Sequence, residues 1–237
     1  MRIEIWSDVV CPWCFIGKRR LEAALADFAH RDEVEVEYRS FELDPTAPSP
    51  ATERTEAVLA RKYGGGIEGA REMQARVTEV AAGVGLEYHL DQTMRGNTVD
   101  AHRLLHLALS ESGPQVQAEL KEALMLAHFT HGADVTDHEA LRRIATDVGL
   151  DQTRVDAVLA GNDFAEAVRG DADQARAFGA GGVPFFVVDR KYAVSGAQPT
   201  EVFTELLERA WAENHPQLTV VGQAGADDET CGPDGCG

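Results

Sequence analysis

The stretch Trp6–Arg20, WSDVVCPWCFIGKRR, carries two of the four cysteines, Cys11 and Cys14, separated by Pro12 and Trp13. The residues on either side decide how the pair is read. RIEIW (2–6) alternates Ile3 and Ile5 with polar positions and predicts a short strand. After the pair, Phe15, Leu21, Leu25 and Phe28 recur at helical spacing and predict an amphipathic helix over 14–28. Cys11 then falls where loop becomes helix, with Pro12 at the first helical position, where a missing N–H costs nothing. Unsatisfied backbone N–H groups and the positive end of the helix dipole face its sulfur and favour the thiolate, the nucleophile of disulfide exchange. Cys14, one turn deeper, is placed to resolve a mixed disulfide. A zinc site is the competing reading, because CxxC is half of a four-cysteine ligand set and Cys231 and Cys236 supply a second half. One arm would sit on a helix and the other on a distant tail, whereas CxxC beside a β-α-β pattern points to redox chemistry. A buried, inert pair is the third reading.

Composition narrows the partners. The 237 residues include 40 acidic and 22 basic side chains, a formal net charge of −18. Nucleic acid and anionic membrane both call for basic patches, so neither is expected as a partner. The first residues lack the apolar run of a signal peptide, and no segment is long and apolar enough to span a bilayer. A cytoplasmic location is expected. There a close cysteine pair is more often catalytic or metal-binding than structural.

VEVEYRSFEL (34–43) alternates as a strand, and DPTAPSP (44–50) breaks it. From Thr52 to Phe178 the pattern is almost wholly helical, in segments that mostly end in Gly. Strand signals return at GVPFFVVD (182–189) and YAVSGA (192–197), joined by a tight turn at Arg190–Lys191, and a helix follows over 199–214. The order β-α-β, helical insertion, β-β-α predicts a small α/β sheet carrying a helical lid. GGGIEG (64–69) matches a nucleotide-binding glycine pattern but follows a helix, not a strand, so a loop between helices is expected. His102 with His106, and His128 with His131, have helical spacing and read as packing or surface residues; no metal site is expected. Asp8, three residues before Cys11, either accepts a proton from Cys14 or caps a loop.

CPWC at the first β-α junction resembles the thioredoxin superfamily, and the inserted helices resemble its DsbA-like branch. Within that branch the chain is most similar to FrnE-type oxidoreductases. The similarity rests on SDVVCPWCFIGKRRLEAAL (7–25), SFELDP (40–45), MRGNTVDAHRLLHLA (94–108), LMLAHFTHGADVTDHEALRRIA (124–145), AFGAGGVPFFVVD (177–189), VSGAQPTEVF (194–203) and the CGPDGC tail (231–236). The resemblance implies an α/β, thioredoxin-like fold with a large all-helical insertion: residues 1–47 and 179–214 as the two parts of the thioredoxin-like domain, 48–178 as the insertion, and 215–237 as a tail. It implies that Pro184 is a cis-proline facing the cysteines, with the Val183 backbone beside the substrate. Trp13 is either a packing residue or an apolar rim for substrate. Isomerases of 2-hydroxychromene-2-carboxylate and kappa-class glutathione transferases share this branch, but they usually carry serine at the first active-site position and a Ser-Asp pair near the last strands. Here those places hold Cys11 and Gly196–Ala197–Gln198.

The expected activity is thiol–disulfide exchange on a disulfide- or thiol-containing protein or small molecule. Cys11 and Cys14 are catalytic, Trp13, Val183 and Pro184 contact substrate, no organic cofactor takes part, and glutathione or another dithiol resets the pair. A glutathione-dependent isomerase or transferase of a small aromatic compound is the alternative. Extended, the tail from Pro216 to Cys231 could span roughly 50 Å. Cys231 and Cys236 are therefore expected to act as an electron relay to the active-site pair.

Overall fold

A computed structural model describes residues 1–215 and, of the tail, the backbone of Cys231–Gly232 and Gly235–Cys236. β1 (Arg2–Ser7) leads through a turn into α1 (Pro12–Ala26), and β2 (Glu35–Ser40) runs parallel to β1. The insertion follows: β3 (Glu53–Arg54), α2 (Thr55–Tyr63), α3 (Gly66–Ala82), β4 (Met94–Arg95), α4 (Val99–Phe129), α5 (His138–Asp147), α6 (Gln152–Ala160) and α7 (Ala165–Ala177). β5 (Phe185–Val188), β6 (Tyr192–Ser195) and α8 (Thr200–Asn214) return to the first sheet, and β7 (Cys231–Gly232) pairs with β8 (Gly235–Cys236). The main sheet has the order β2-β1-β5-β6, with β5 antiparallel to both β1 and β6.

Both faces of this sheet are covered, which is why FFVV reads as an unbroken apolar run rather than an alternation. Ile3, Ile5, Phe186 and Val188 pack on Leu21 and Ala24 of α1 and on Phe203, Leu207 and Ala210 of α8. Trp6, Phe185 and Val187 point the other way, to Ala175 of α7, and the Trp6 indole N–H donates to the Asp171 carbonyl at 2.8 Å. β2 is an edge strand, and its free backbone groups are claimed by the insertion. Gln117 of α4 accepts from the Tyr38 N–H and donates to the Tyr38 carbonyl, both at 2.9 Å. Asp171 of α7 accepts from the Ser40 N–H at 2.8 Å. Such cover removes a template for edge-to-edge pairing.

The helical block has its own core, in which Leu104, Leu107, Leu120 and Leu124 of α4 meet Leu141 of α5 and Val155 and Val158 of α6. Asp137 and Asp151 cap α5 and α6 by accepting N–H groups of their first turns. The sequence pattern separates a helix ending at Gly113 from one starting at Pro114. In the structure the two abut as one kinked α4, with Gly113 at φ 84°.

Three local expectations change. GGGIEG is not a loop throughout: Gly66–Gly69 already belongs to α3, whose buried face of Ala70, Gln74, Val77 and Ala81 continues the same helix. The strand expected over 182–189 pairs only over Phe185–Val188, since Pro184 has no N–H to give the ladder. The hairpin turn sits one residue earlier than Arg190–Lys191. Asp189 and Arg190 have φ of 48° and 54°, the left-handed pair that matches strand twist. Asp189 compensates by accepting the Arg2 N–H at 2.7 Å.

One contact in this framework sets where the cysteines lie. A Cβ on Gly17 would stand 3.1 Å from both the Phe186 ring and the Pro184 ring, so α1 approaches the β5 strand closely because position 17 has no side chain. Gly17→Val is expected to destabilise the fold by about 1–3 kcal/mol, the range for overpacking. Urea unfolding checks this; an unchanged midpoint would show that α1 can move away freely.

Candidate active site

Cys11 is the N-cap of α1, with extended backbone (φ −94°, ψ 111°) and no side chain capping the helix, so its sulfur lies beside the helix N-terminus. Pro12 follows inside the first turn, and the Cys14 N–H closes that turn on the Cys11 carbonyl at 3.0 Å. Tyr88 fixes the turn from the insertion by donating its hydroxyl to the Pro12 carbonyl at 2.8 Å. The Tyr88 ring belongs to an aromatic group with Phe15 and Phe129, at centroid distances of 4.8 to 6.3 Å. Burial, then the sulfurs of Cys11 and Cys14, push the Tyr88 phenol up, so it remains a donor at neutral pH.

The Val183–Pro184 peptide bond is cis, and the Cys11 thiol lies 3.7 Å from the Val183 carbonyl. The Gly196 N–H donates to the Pro184 carbonyl at 2.8 Å, and Arg20 of α1 donates to the Ala197 carbonyl. These bonds hold the end of β6, the Pro184 segment and α1 together. Cys11, Cys14, Trp13, Val183 and Pro184 thus converge. Trp13 is exposed and, with Cys11 and Val183, lines a cavity of about 400 Å³ roofed by α2 and α3.

Behind the cysteines lies a buried charged cluster. Asp8 accepts the Leu43 N–H at 2.8 Å through one oxygen and meets His102 Nε2 at 3.3 Å with the other. Burial alone would raise the Asp8 carboxyl. The hydrogen bond from His102, the Leu43 N–H and the Lys121 charge outweigh it and hold the carboxyl below its ordinary value. Burial keeps His102 neutral against the pull of Asp8. With its proton on Nε2, facing the carboxylate, His102 Nδ1 is an acceptor without a partner among the described residues. Lys121 of α4 is completely buried. It donates to the Ser7 carbonyl at 3.1 Å, and burial pushes its ammonium down to about 8 against the attraction of Cys14, Asp8 and Cys11. Burial, then the adjacent Cys11 sulfur, push the Cys14 thiol well up, with Lys121 and the Asp8 N–H opposing.

Asp8 was legible as either a proton acceptor or a loop cap, and it does tie down the segment at Leu43. Tyr88 and Lys121 gave no sequence signal, since a lysine in a helix is ordinarily a surface residue and a tyrosine is found both buried and exposed. His102 and His106 are buried packing residues, as their helical spacing suggested, but they pair with carboxylates of distant elements, Asp8 and Asp171. Among the described residues no group of three or more metal-ligating side chains converges. The β7–β8 ladder sets Cys231 opposite Cys236, but their side chains lie outside the described residues, and so does the relay expected of them.

Comparison with known proteins supplies the family. The model of the DSBA-like thioredoxin domain matches residues 2–208, and the chain belongs to that family. A crystal structure described as a "probable DsbA oxidoreductase" from Streptomyces coelicolor is similar over 100% of this chain and 98% of its own, with 45% identity and a TM-score of 0.84. The uncharacterised protein YwbO of Bacillus subtilis is 26% identical over 170 residues, 71% of this chain and 76% of that protein. The cytosolic disulfide reductase DsbM of Pseudomonas aeruginosa, solved with GSH, shares the fold at 16% identity, a TM-score of 0.63 and coverage of 89% and 99%.

His128, on the cavity wall, gives the site a pH signature. Burial pushes it from an ordinary 6.5 down to about 4. The unfolded chain takes up a proton near 6.5 and the folded chain only near 4. Stability present above pH 6.5 is therefore lost as pH falls through that window, by up to about 3 kcal/mol. His128→Phe is expected to flatten this part of the stability–pH curve, measured by urea unfolding. Parallel curves for the two proteins would contradict it.

Proposed function

We propose that the Cys11–Cys14 pair is the redox centre of a thiol–disulfide oxidoreductase. The observation that carries this reading is the position of Cys11 at the N-terminus of α1. It stands on the cavity wall beside Val183, with Cys14 buried behind it. The Cys11 thiolate attacks one sulfur of a substrate disulfide; a Cys11–substrate disulfide forms and the other sulfur leaves as a thiolate. Cys14 then attacks Cys11, its proton passes inward, and the second substrate sulfur leaves. The substrate gains two electrons and the enzyme becomes the Cys11–Cys14 disulfide, which glutathione or another dithiol returns to the reduced form. The reverse sequence oxidises a dithiol.

The buried cluster answers the difficulty of the second step. A thiol pushed well up by burial needs a proton acceptor within the protein. Asp8 is ionised there, and Lys121, down at about 8, is partly neutral in mildly alkaline solution. In this proposal neutral Lys121 takes the proton, the Asp8 carboxylate stabilises the ammonium that forms, and Pro184 and Val183 orient the substrate. A cytoplasmic compartment, where dithiols are abundant, suits a pair that must be re-reduced.

Incubation with glutathione disulfide, followed by mass spectrometry of the intact protein, tests the assignment. In a background lacking residues 229–237, the otherwise wild-type protein is expected to gain an internal disulfide, Cys14→Ser to retain one glutathione on Cys11, and Cys11→Ser to gain nothing. A glutathione retained on Cys14 in Cys11→Ser would reverse the roles. The tail pair is proposed to exchange with the active-site disulfide. Removing residues 229–237 is then expected to slow re-reduction by an external dithiol, and an unchanged rate would exclude the relay.

A further inference from the structure

Cys11 is only 4% exposed, and its surface opens onto the cavity of about 400 Å³ rather than onto a flat face. The walls of that cavity are apolar: Leu59 of α2, Met73 and Val77 of α3, Leu90, Phe129 and Trp13. α2 buries no residue in any core, and its Val58, Leu59 and Tyr63 face the cavity instead. Large apolar side chains left uncovered are few among the described residues: Trp13, Leu43, Tyr63, Ile67 and Phe178. Three of these five, Trp13 at 41%, Leu43 at 47% and Tyr63 at 59%, lie on this one cavity. Of the charged groups on its wall, Arg95 and Asp44 pair with each other at 2.9 Å and the Lys62 ammonium lies 5.4 Å from the Tyr63 ring centroid, while Thr55, Gln74, Thr93 and His128 are the polar groups set among the apolar ones.

We infer that the cavity under α2 and α3 is a binding site for a low-molecular-weight disulfide with an apolar body of aromatic size, its sulfur delivered to Cys11. The inference deepens the proposed redox function and rests on it. Volume and chemistry both select this occupant. About 400 Å³ lies within the range of small-molecule sites, which are mostly apolar with a few placed polar groups. A disulfide inside a folded protein is held between two backbones and is far bulkier than a cavity of about 400 Å³. A small disulfide RSSR fits and reacts in balance. Cys11 forms a disulfide with one RS unit and expels the other as thiolate. Cys14 then expels the first, and two RSH leave after two protons are taken up. The electrons come from the Cys11–Cys14 dithiol, and an external dithiol restores it.

The test compares dipyridyl disulfide, which is aromatic, with hydroxyethyl disulfide, which is small and hydrophilic, and with insulin, using dithiothreitol as donor. Leu59→Trp and Met73→Trp each fill the cavity without touching the cysteines. The expected result is a loss of about tenfold or more in kcat/KM for dipyridyl disulfide, the scale of misfit in an apolar pocket, and a several-fold smaller loss for hydroxyethyl disulfide, which needs less of the cavity to reach Cys11. A second measurement needs no variant: an unreactive aromatic thioether is expected to inhibit wild-type turnover of dipyridyl disulfide competitively. Equal losses on both small substrates, or no inhibition by the thioether, or insulin turned over faster than dipyridyl disulfide, would overturn the inference while leaving the redox assignment standing. Failure of wild type to exchange with any disulfide, glutathione disulfide included, would remove the redox assignment itself.

Discussion

One buried carboxylate joins the parts of this protein. Asp8 follows β1, receives the Leu43 N–H from the segment after β2, and meets His102 from the inserted α4. Its own carbonyl accepts the Cys11 N–H at 3.4 Å, and the preceding Ser7 carbonyl receives Lys121. A charge removed from water is tolerated only when opposite charge and hydrogen bonds surround it. The sheet does not supply enough of either at this point, so the insertion does. The helical block is thereby part of the electrostatic environment of the cysteines, in addition to being a cover above them.

The same insertion controls access. α4 brings Phe129 and His128, α3 brings Met73 and Val77, and the segment between α3 and α4 brings Tyr88 to the CPWC turn. The outcome is a pair of thiols at 4% and 2% exposure, one facing a cavity and the other facing a charged cluster. On the proposed function, a nucleophile facing a cavity is reached by what the cavity admits, which would place substrate choice with residues of α2 and α3. The buried charges, Asp8 and Lys121, lie on the opposite side. The sequence distance between these groups is large, but α3 packs on α1, and α4 is tied to α1 by the ion pairs of Lys18 and Arg19 with Glu122.

The sheet, the first helix and the insertion were legible because each rests on a local signal: alternation in RIEIW, helical spacing in 14–28, glycine punctuation through 52–178, and an apolar run in FFVV. The cysteine pair was legible because spacing and the following Pro12 place it at a helix N-terminus. What could not be read is set by tertiary geometry. Nothing local distinguishes Lys121, buried and aimed at β1, from a surface lysine of the same helix, and nothing in VTEVAA or TEAVLA says that α3 and α2 enclose an empty space. The hairpin turn was displaced by one residue for a similar reason. Its register follows from pairing Val188 with Tyr192 and Ile3, a constraint of the sheet rather than of the dipeptide.

The central claim is that the two sulfurs have opposite exposure to chemistry, Cys11 facing incoming reagent and Cys14 shielded behind it. Alkylation of the reduced protein with iodoacetamide across a range of pH, followed by peptide mapping, measures this directly. The account predicts that Cys11 is modified first throughout, and that Cys14 stays unmodified in the folded protein until strongly alkaline solution or denaturant exposes it. Equal rates for the two thiols, or modification of Cys14 before Cys11, would contradict it.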